Sequence, residues 1–215
     1  MFQEYANKIA TLHHDLIINW KKSDNKLNSI HQMPSTSTQI NNQTIKKYSN
    51  LLEIVEENHG FNYLLWNAED RARREDKGFE FVYRAKREID YYNQQRNNRM
   101  EAMDEWLFIE LQPSYNTSCK IHSESPGMII DRLSILALKA YHMKLQTERL
   151  DVDQEHIQLC QTKLHTIIAQ KKQLQECLHL LFIAINDKTE TFKVYHQFKM
   201  YNDLKLNPEL YQKKD

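Results

Sequence analysis

The sequence predicts an all-α protein, an antiparallel bundle of long helices, and two observations carry this prediction. Chain breakers are scarce, because the 215 residues include three glycines and four prolines, while residues of high helix propensity dominate. Several segments also repeat apolar residues every three or four positions, which is the period of an amphipathic helix. A chain of this length can bury a sizeable core. We therefore expect a single helical domain over residues 1–215, with its core at 44–211.

The first helix is predicted over residues 2–22, where one apolar stripe recurs at helical spacing. Residues 23–43 follow; they are rich in Ser, Thr, Asn and Gln and contain Pro34, which predicts a flexible linker. A second helix is predicted from about Thr44, and the run Asn58-His59-Gly60 is expected either to end it or to bend it. The stripe of the first helix consists of Tyr5, Ile9, Leu12, Leu16 and Trp20.

The middle of the chain contains the longest predicted helix, Phe79 to Leu111. The turn signal Glu75-Asp76-Lys77-Gly78 precedes it and Pro113 ends it. A polar loop over residues 114–123 leads to a central helix. Ser123 or Ser125 is expected to cap this helix, with Pro126 at its first position, because these residue types suit orphan backbone N–H groups. The central helix is predicted to run to about Arg149.

The last long helix is predicted from about Gln154 to Asn186, after a turn. A short helix is predicted over residues 191–202. The tail over residues 206–211 is apolar for a terminus, so we expect it to be docked. The residues of the last long helix that are predicted to face inward are Ile157, Cys160, Leu164, Ile167, Ile168, Leu174, Cys177, Leu178, Leu181 and Ile185.

Composition limits the partners and the compartment. Lys plus Arg equals Asp plus Glu at 29 each, so no global field favours nucleic acid or anionic lipid, although a local patch is compatible with this balance. The three cysteines are widely spaced and form no Cys-x-x-Cys motif, which favours reduced thiols over a disulfide framework or a zinc site. The N-terminus lacks a signal-peptide pattern, and the longest apolar run has eight residues, residues 178–185. We expect a cytoplasmic protein without a membrane span or a nucleic-acid partner.

The central helix contains charged residues where an ordinary buried helix has none. It is apolar over most of its circumference, which predicts burial. Asp131, Arg132, Lys139 and His142 nevertheless fall in one arc of it. Because buried charges need partners, other helices are expected to supply them.

The longest helix contains a matching anomaly. Its apolar stripe has a seven-residue repeat, and the position between Ile89 and Met103 is Arg96. Asn93 and Asn97 flank this arginine. An arginine at an inward position is costly in an ordinary core, so either the stripe turns outward there or Arg96 enters an internal polar site. Asp131 is the candidate partner.

The second helix adds a polar row beside an aromatic residue. Helical spacing puts Asn62, Trp66, Asp70 (or Glu69) and Arg73 along one side. The simpler interpretation is a tryptophan on a core face flanked by surface ion pairs, each contributing a few tenths of a kcal/mol. The functional interpretation is a polar row next to an aromatic platform for a ligand.

Metal and nuclease chemistry receive weak support. Glu56 and His59, like Glu176 and His179, have the Glu-x-x-His spacing of di-metal helical bundles, but nothing selects the further glutamates that such sites need. Arg149 and His156 match only loosely the spacing of a class of all-helical ribonucleases, in a chain without a basic footprint. The sequence has no Gly-rich phosphate loop and no Gly-x-Ser-x-Gly elbow, so no metal and no cofactor is predicted.

Four blocks of the sequence together resemble the bacterial domain of unknown function 4254 family, and the resemblance spans nearly the whole chain. This resemblance implies an uncharacterised activity. It also associates the chain with sugar-transferring enzymes of envelope polysaccharide synthesis, which is a hint from context and not from chemistry. The blocks are residues 62–74, residues 93–97, the Ser-Pro-Gly helix of residues 123–143, and residues 195–203 with 207–211.

Two functional hypotheses follow, and the sequence leaves open whether the protein is an enzyme. In the first, an internal polar cleft binds or processes an anionic sugar or nucleotide sugar in glycan synthesis, with Asp131 or His142 as a general base. In the second, the polar residues form a structural ion network, and the protein is a non-catalytic interaction module that docks a partner or a second copy. The candidate ligand-binding residues of the first hypothesis are Trp66, Asp70, Asn93, Arg96, Asn97, Arg132, Lys139, Lys199, Tyr201 and Asn202.

Overall fold

The fold is all-α, as the sequence predicts. The computed structural model describes residues 4–22, 48–116, 118–198, 200 and 204–212. Within these ranges the strands are two short segments of two residues each, and they pair in parallel, Lys120 with Glu190 and Ile121 with Thr191. The elements are α1 (Tyr5–Lys22), α2 (Leu51–Ala72), a 3-10 turn (Glu75–Lys77), α3 (Phe79–Leu111), β1 (Lys120–Ile121), α4 (Pro126–Thr147), α5 (Gln154–Asn186), β2 (Glu190–Thr191) and α6 (Pro208–Tyr211).

The helices start and stop where their flanking residues dictate. The Asn50 side chain caps α2 by accepting from the backbone N–H of Glu53, and the Asp153 side chain caps α5 in the same way. Ser125 caps α4, with Pro126 in its first turn. Helix α3 ends at Leu111, and Gln112 directly after it adopts a left-handed conformation (φ 45°).

Helices α2, α3 and α4 form an antiparallel succession. Glu57 of α2 binds Arg99 of α3 at 2.6 Å, while Arg71, near the end of α2, binds Glu88, near the beginning of α3. The order of these two pairs along the chains shows that α2 and α3 run in opposite directions. Helix α5 returns along α4, and α1 packs against α2, α4 and α5.

Two clusters of buried apolar residues fill the bundle, one above the other. Polar residues lie where the two clusters meet. On α2, Asn58 and His59 fall between the clusters and Asn62 adjoins Phe61 of the second; on α4, Ser134 falls between them and Asp131 adjoins Ile130 of the first. The first apolar cluster consists of Ala6, Ile9, Leu51, Ile54, Val55, Met103, Leu107, Ile129, Ile130, Leu133, Leu178, Leu181, Phe182, Ile185 and Phe192. The second apolar cluster consists of Ile17, Phe61, Tyr63, Leu64, Ala68, Ile89, Tyr92, Ala137 and Leu138. We call this set of polar residues, at or beside the boundary between the clusters, the polar layer; its members are His13, Asn58, His59, Asn62, Arg96, Asp131 and Ser134.

Several sequence expectations need correction. Helix α2 continues through Asn58-His59-Gly60, which are buried and helical. The helix predicted over residues 191–202 does not form across its described part, because Thr191 lies in β2 and residues 192–198 are not helical. The short C-terminal helix is α6 instead. The polar loop of residues 114–123 contains β1.

Exposure corrects two further expectations. Leu206 and Tyr211 of the tail are each about half exposed, so these two side chains are not docked. On α5, Cys177 and Ile168 are exposed, contrary to the inward stripe, whereas Cys160 is buried. The predicted linker of residues 23–43 lies outside the described residues, and the expectation of a single domain stays a prediction. No described helix combines the length and the apolar character that crossing a bilayer requires.

Candidate functional site

The centre of the polar layer is an ion pair between α3 and α4. Arg96 donates from Nε to Oδ1 of Asp131 at 2.9 Å and from Nη2 to Oδ2 at 2.6 Å. This bidentate geometry is the strong form of an arginine–carboxylate interaction. The Asp131 side chain is 2% exposed and that of Arg96 is 23% exposed. The pair predicted from the seven-residue repeat is therefore present, and only its arginine reaches the surface.

Two asparagines of α2 complete the surroundings of Asp131. Asn58 and Asn62 each donate an amide hydrogen to Oδ1, at 3.1 and 2.9 Å. Both lie on one face because they are four residues apart. With the two bonds from Arg96, the buried carboxylate accepts four hydrogen bonds, which compensate for its loss of water.

The polar layer continues from Asn62 toward α1. Asn62 donates to the hydroxyl of Ser134 at 2.9 Å, and Ser134 donates to Nδ1 of His59 at 2.6 Å. Nε2 of His59 lies 3.0 Å from the backbone oxygen of His13. Since a carbonyl only accepts, Nε2 carries the hydrogen. Burial lowers the pKa of His59 to about 3, so this histidine is neutral in the folded protein.

His13 ends the polar layer without hydrogen bonds of its own. Its ring lies 4.5 Å from that of His59, measured between centroids. Both ring nitrogens are buried and have no hydrogen-bond partner among the described residues. Burial, the neighbouring His59 and Lys171 lower the pKa of His13 well below its ordinary value. A neutral imidazole is therefore held in an apolar site.

Two amides flank Arg96 on α3, as the sequence indicates. Asn97 is buried and Asn93 is half-buried. Neither amide side chain has a hydrogen bond to another described residue, and the same is true of Nη1 of Arg96. At the surface end of the polar layer, α3 thus carries one oriented guanidinium edge and the half-buried amide of Asn93, with the buried amide of Asn97 beside them, and no described residue bonds either amide.

Trp66 and His142 form a second pair. Their rings stack with centroids 4.5 Å apart and planes 7° from parallel. Burial and the charge of Lys21 lower the pKa of His142, and the charge of Asp70 opposes this shift. Nε2 of His142 is buried without a hydrogen-bond partner among the described residues.

The predicted cluster is therefore divided into two parts. Asp131 and His142 lie three turns apart on α4, about 16 Å along the helix axis. Ala137 and Leu138 of the second apolar cluster lie between them. The structure brings Arg96 to Asp131 and Trp66 to His142, and no described contact joins the two pairs.

The remaining predicted site residues lie elsewhere. Arg132 is exposed and binds Glu124 at 2.5 Å, near the start of its own helix. Lys139 is exposed. Lys199, Tyr201 and Asn202 have side chains outside the described residues.

The metal and nuclease motifs are also accounted for. His59 is bonded within the polar layer, while Glu56 is exposed. Arg149 binds Asp151 through two nitrogens, and His156 contacts Cys160 at 3.4 Å. Within the described ranges, no group of three or more His, Cys, Asp or Glu side chains is arranged to hold a metal ion.

Sequence reasoning missed a buried carboxylate, Asp104 on α3. It accepts a hydrogen bond from the backbone of Gly127 at 2.7 Å and another from the Ser125 hydroxyl. Burial raises the pKa of Asp104 to about 7. The sequence carries a signal for it, because Asp104 is one turn after Met100 and beside Met103, on the inward side of α3.

Comparison with known proteins gives one family. The family model described as "Protein of unknown function (DUF4254)" matches residues 52–194. Searches of the curated proteins and of the solved structures each returned no match. The matched region contains the Arg96–Asp131 pair, the Trp66–His142 pair and Asp104, whereas His13 on α1 lies outside it.

Proposed function

This chain belongs to the DUF4254 family, and we propose that it binds an anionic, sugar-like small molecule at Arg96, at the surface end of the polar layer. The observation that carries the proposal is that this arginine is held in one orientation and has a side-chain nitrogen without a described partner. Its bidentate bond to the buried Asp131 fixes the guanidinium in place, while Nη1 faces no described partner and the side chain is 23% exposed. A preoriented arginine with an open donor edge suits a phosphate or carboxylate.

The flanking amides extend the recognition from the anion to hydroxyl groups. Asn93 and Asn97 are four residues apart on α3 and so share a face. Each offers two donors and one acceptor that no described residue uses. Hydroxyl groups of a sugar both donate and accept, so amides match them. The proposed ligand class is therefore a sugar phosphate or a nucleotide sugar, and the proposed setting is cytoplasmic glycan synthesis, which rests on the family resemblance alone.

Binding is proposed here in preference to catalysis. The carboxylate oxygens of Asp131 accept hydrogen bonds from Arg96, Asn58 and Asn62. This arrangement is the one expected of a group that orients the arginine. A free general base needs a lone pair directed at a substrate. The catalytic assignments of Asp131 and His142 stay predictions.

The first experiment is a thermal-shift screen of the wild type and Asn93→Ala against sugar phosphates, nucleotide sugars and inorganic phosphate. The Asn93 amide has no described hydrogen bond, so its removal is expected to leave the melting temperature of the free protein within about 2 °C. A ligand that stabilises the wild type is expected to lose about tenfold or more in affinity for the variant, because removing a ligand hydrogen bond costs about 1–2 kcal/mol.

The matched control is Asn98→Ala, which removes an amide of the same helix whose partner is Gln94. This variant is expected to bind the ligand like the wild type. If no compound of these classes shifts the wild type, or if Asn93→Ala binds as tightly as the wild type, the proposal is wrong.

A second candidate function is a non-catalytic interaction module, and the burial of the polar layer favours it. His59, Ser134 and Asp131 are at most 1% exposed, as expected for a network that only fixes helix packing. On this alternative no small ligand stabilises the wild type, and the thermal-shift screen therefore separates the two candidates.

A further inference from the structure

Helix α1 attaches to the bundle along one narrow stripe. The buried side chains among its described residues are Ala6, Ile9, His13 and Ile17, which recur every three or four positions and so share one face. Ala6, Ile9 and Ile17 belong to the two apolar clusters, and every other member of these clusters lies between residues 51 and 192. Most of the apolar core therefore stays in place without α1.

His13 is the polar member of this stripe. It is 0% exposed, and neither ring nitrogen has a hydrogen-bond partner among the described residues. His59 of α2 lies against it, with ring centroids 4.5 Å apart, and the positive charge of Lys171 on α5 acts on both rings. Helix α4 contributes the uncharged Ser134, which bonds to His59. The groups that face His13 from the other helices are thus a second imidazole and a cation, and neither histidine pairs with a described carboxylate.

The packed position of α1 excludes the charged form of both histidines. A protonated His13 would have two buried N–H groups without an acceptor, next to the charge of Lys171. At His59, Nδ1 accepts from Ser134 and Nε2 donates to the backbone oxygen of His13. A second proton can enter His59 only at Nδ1, where it displaces the hydrogen of Ser134. Because a buried charge without a partner is costly, protonation of either ring opposes the docking of α1.

We propose that acid releases α1 from the bundle: protonation of His13 and His59 detaches α1 while α2, α3, α4 and α5 stay folded. Release brings both rings into water, which solvates the imidazolium. It also removes the His13 oxygen from Nε2 of His59, so the polar layer loses its hydrogen bond to α1. The release is reversible, because no covalent bond changes.

The direction of two pKa shifts sets the pH range of this release. Burial lowers the pKa of His59 to about 3, and burial with the charges of His59 and Lys171 lowers that of His13 well below 6.5. The released state therefore binds more protons than the docked state below pH 6.5. Helix α1 is docked above this pH, and its release becomes more favourable as the pH falls. Each histidine favours release about tenfold per pH unit in this range.

Acid acts in the opposite direction on the contact between α3 and α4. Asp104 of α3 bonds to Ser125 and Gly127 of α4, and burial raises its pKa to about 7. As the pH falls below about 7, the folded state holds the Asp104 proton, and the cost of burying its charge disappears. The groups that acid disfavours in the fold, His13 and His59, lie instead where α1 meets the bundle. Local release of α1 is therefore expected before general unfolding.

The test is hydrogen–deuterium exchange of the full chain at pH 7.5 and pH 5.0, measured by mass spectrometry. The protection factor compares the exchange rate of a segment with that of an unfolded peptide at the same pH, so the intrinsic pH dependence of exchange cancels. The protection of α1 is expected to fall by about thirtyfold or more, which is the contribution of one histidine over this range. At pH 5.0 the amides in the middle of α3 are expected to stay about a hundredfold or more better protected than those of α1.

The decisive variant is His13→Leu, whose side chain takes no proton. Its α1 is expected to lose about thirtyfold less protection between the two pH values than α1 of the wild type. His13→Met, with an adaptable side chain, is a second variant for which the same result is expected. The matched control is His14→Leu at the exposed neighbouring position, and it is expected to respond to pH like the wild type.

The proposal is overturned if α1 of the wild type keeps its protection at pH 5.0. It is also overturned if α1 and α3 lose their protection together, because that outcome is general unfolding. A wild type that responds to pH like His13→Leu and His13→Met would show that His13 does not control the docking of α1.

Discussion

A single glycine sets how closely α4 approaches α3. A Cβ atom on Gly127 would lie 2.6 Å from the backbone oxygen of Met100 and 2.7 Å from Oδ1 of Asp104. The absence of a side chain lets the Gly127 N–H donate directly to Asp104. Ser125 caps the helix and also donates to the same carboxylate. The Ser-Pro-Gly sequence therefore both begins α4 and fixes it to α3.

At this residue scale we predict that Gly127→Ala destabilises the protein by about 1–3 kcal/mol, because a methyl group would overfill a close-packed contact. Urea unfolding measures the change. Ser123→Ala, at an exposed position before the same helix, is the control and is expected to change stability by about 0.5 kcal/mol or less. An alanine variant as stable as the wild type would show that the close approach is dispensable.

At the scale of the helices, the polar layer contains residues of four helices at about the same level along the bundle axis. His13 belongs to α1, His59 to α2, Arg96 to α3 and Asp131 to α4. The first three lie between the two apolar clusters in their helices, and Asp131 adjoins Ile130 at the edge of the first cluster. A shift of one helix by a turn would place a charged or amide group against apolar residues. We infer that the polar layer sets the register of the helices, a role attested for buried polar groups in other bundles.

The element-scale prediction concerns the pair between α3 and α4. Arg96→Met is expected to cost about 3–5 kcal/mol, because it leaves the buried Asp131 carboxylate uncompensated, whereas Asp131→Leu is expected to cost less, because the Arg96 side chain is 23% exposed and stays partly hydrated. The double variant is expected to cost less than the sum. A double-mutant cycle from urea unfolding measures the coupling. The same cycle at the exposed pair Glu80–Arg84 is the control, with a coupling of about 0.5 kcal/mol or less. Additive effects at Arg96 and Asp131 would contradict the coupling.

For the whole molecule, the buried titratable groups have opposite effects on how the stability of the fold changes with pH. Burial raises the pKa of Asp104 to about 7, lowers that of His59 to about 3 and lowers that of His13. Between pH 3.8 and about 7 the folded state holds the Asp104 proton and the unfolded state does not, so this group destabilises the fold as pH rises. Below pH 6.5 the unfolded state protonates the two histidines and the folded state does not, so they destabilise the fold as pH falls.

The whole-molecule prediction is that Asp104→Asn changes the pH profile of stability. Near pH 8 the variant is expected to match or exceed the wild type by up to about 4 kcal/mol, because it avoids a buried charge. From about pH 6.5 to about pH 5 its stability is expected to fall more steeply than that of the wild type, by about 1 kcal/mol per pH unit, since the opposing contribution is gone. Urea unfolding across this range measures both slopes, and parallel profiles would contradict the assignment to Asp104.

The long helices could be predicted because their boundaries carry local signals. Gly78 and Pro113 delimit α3, and Asp153 caps α5, so the predicted bounds Phe79–Leu111 and Gln154–Asn186 agree with the structure. Of the two outcomes expected at Asn58-His59-Gly60, a helix end or a bend, the helix end was wrong for a tertiary reason. The side chains of Asn58 and His59 bond to Asp131 and Ser134 on another helix, so they do not compete for the backbone of their own.

The candidate site could be predicted in part. An arginine at an apolar heptad position is conspicuous in the sequence, and Asp131 is the one acidic residue of the largely apolar α4, so the Arg96–Asp131 pair could be predicted. The roles of Asn58, Asn62 and Ser134 could not be predicted. Helical periodicity indicates which side of a helix faces inward, but it does not indicate which residue of another helix lies opposite. Helical spacing also placed Asp131 and His142 in one arc without showing that the second apolar cluster separates them along the axis.

The parallel pairing of β1 with β2 has a consequence for how the chain folds. The two strands close a loop that contains all of α4 and α5, and closing a long loop costs entropy that two residue pairs alone do not repay. We therefore expect the helical hairpin of α4 and α5 to form before the strands meet. The strand pair then joins a unit that is already folded, and the burial of Thr191 and of Phe192, a member of the first apolar cluster, holds it there.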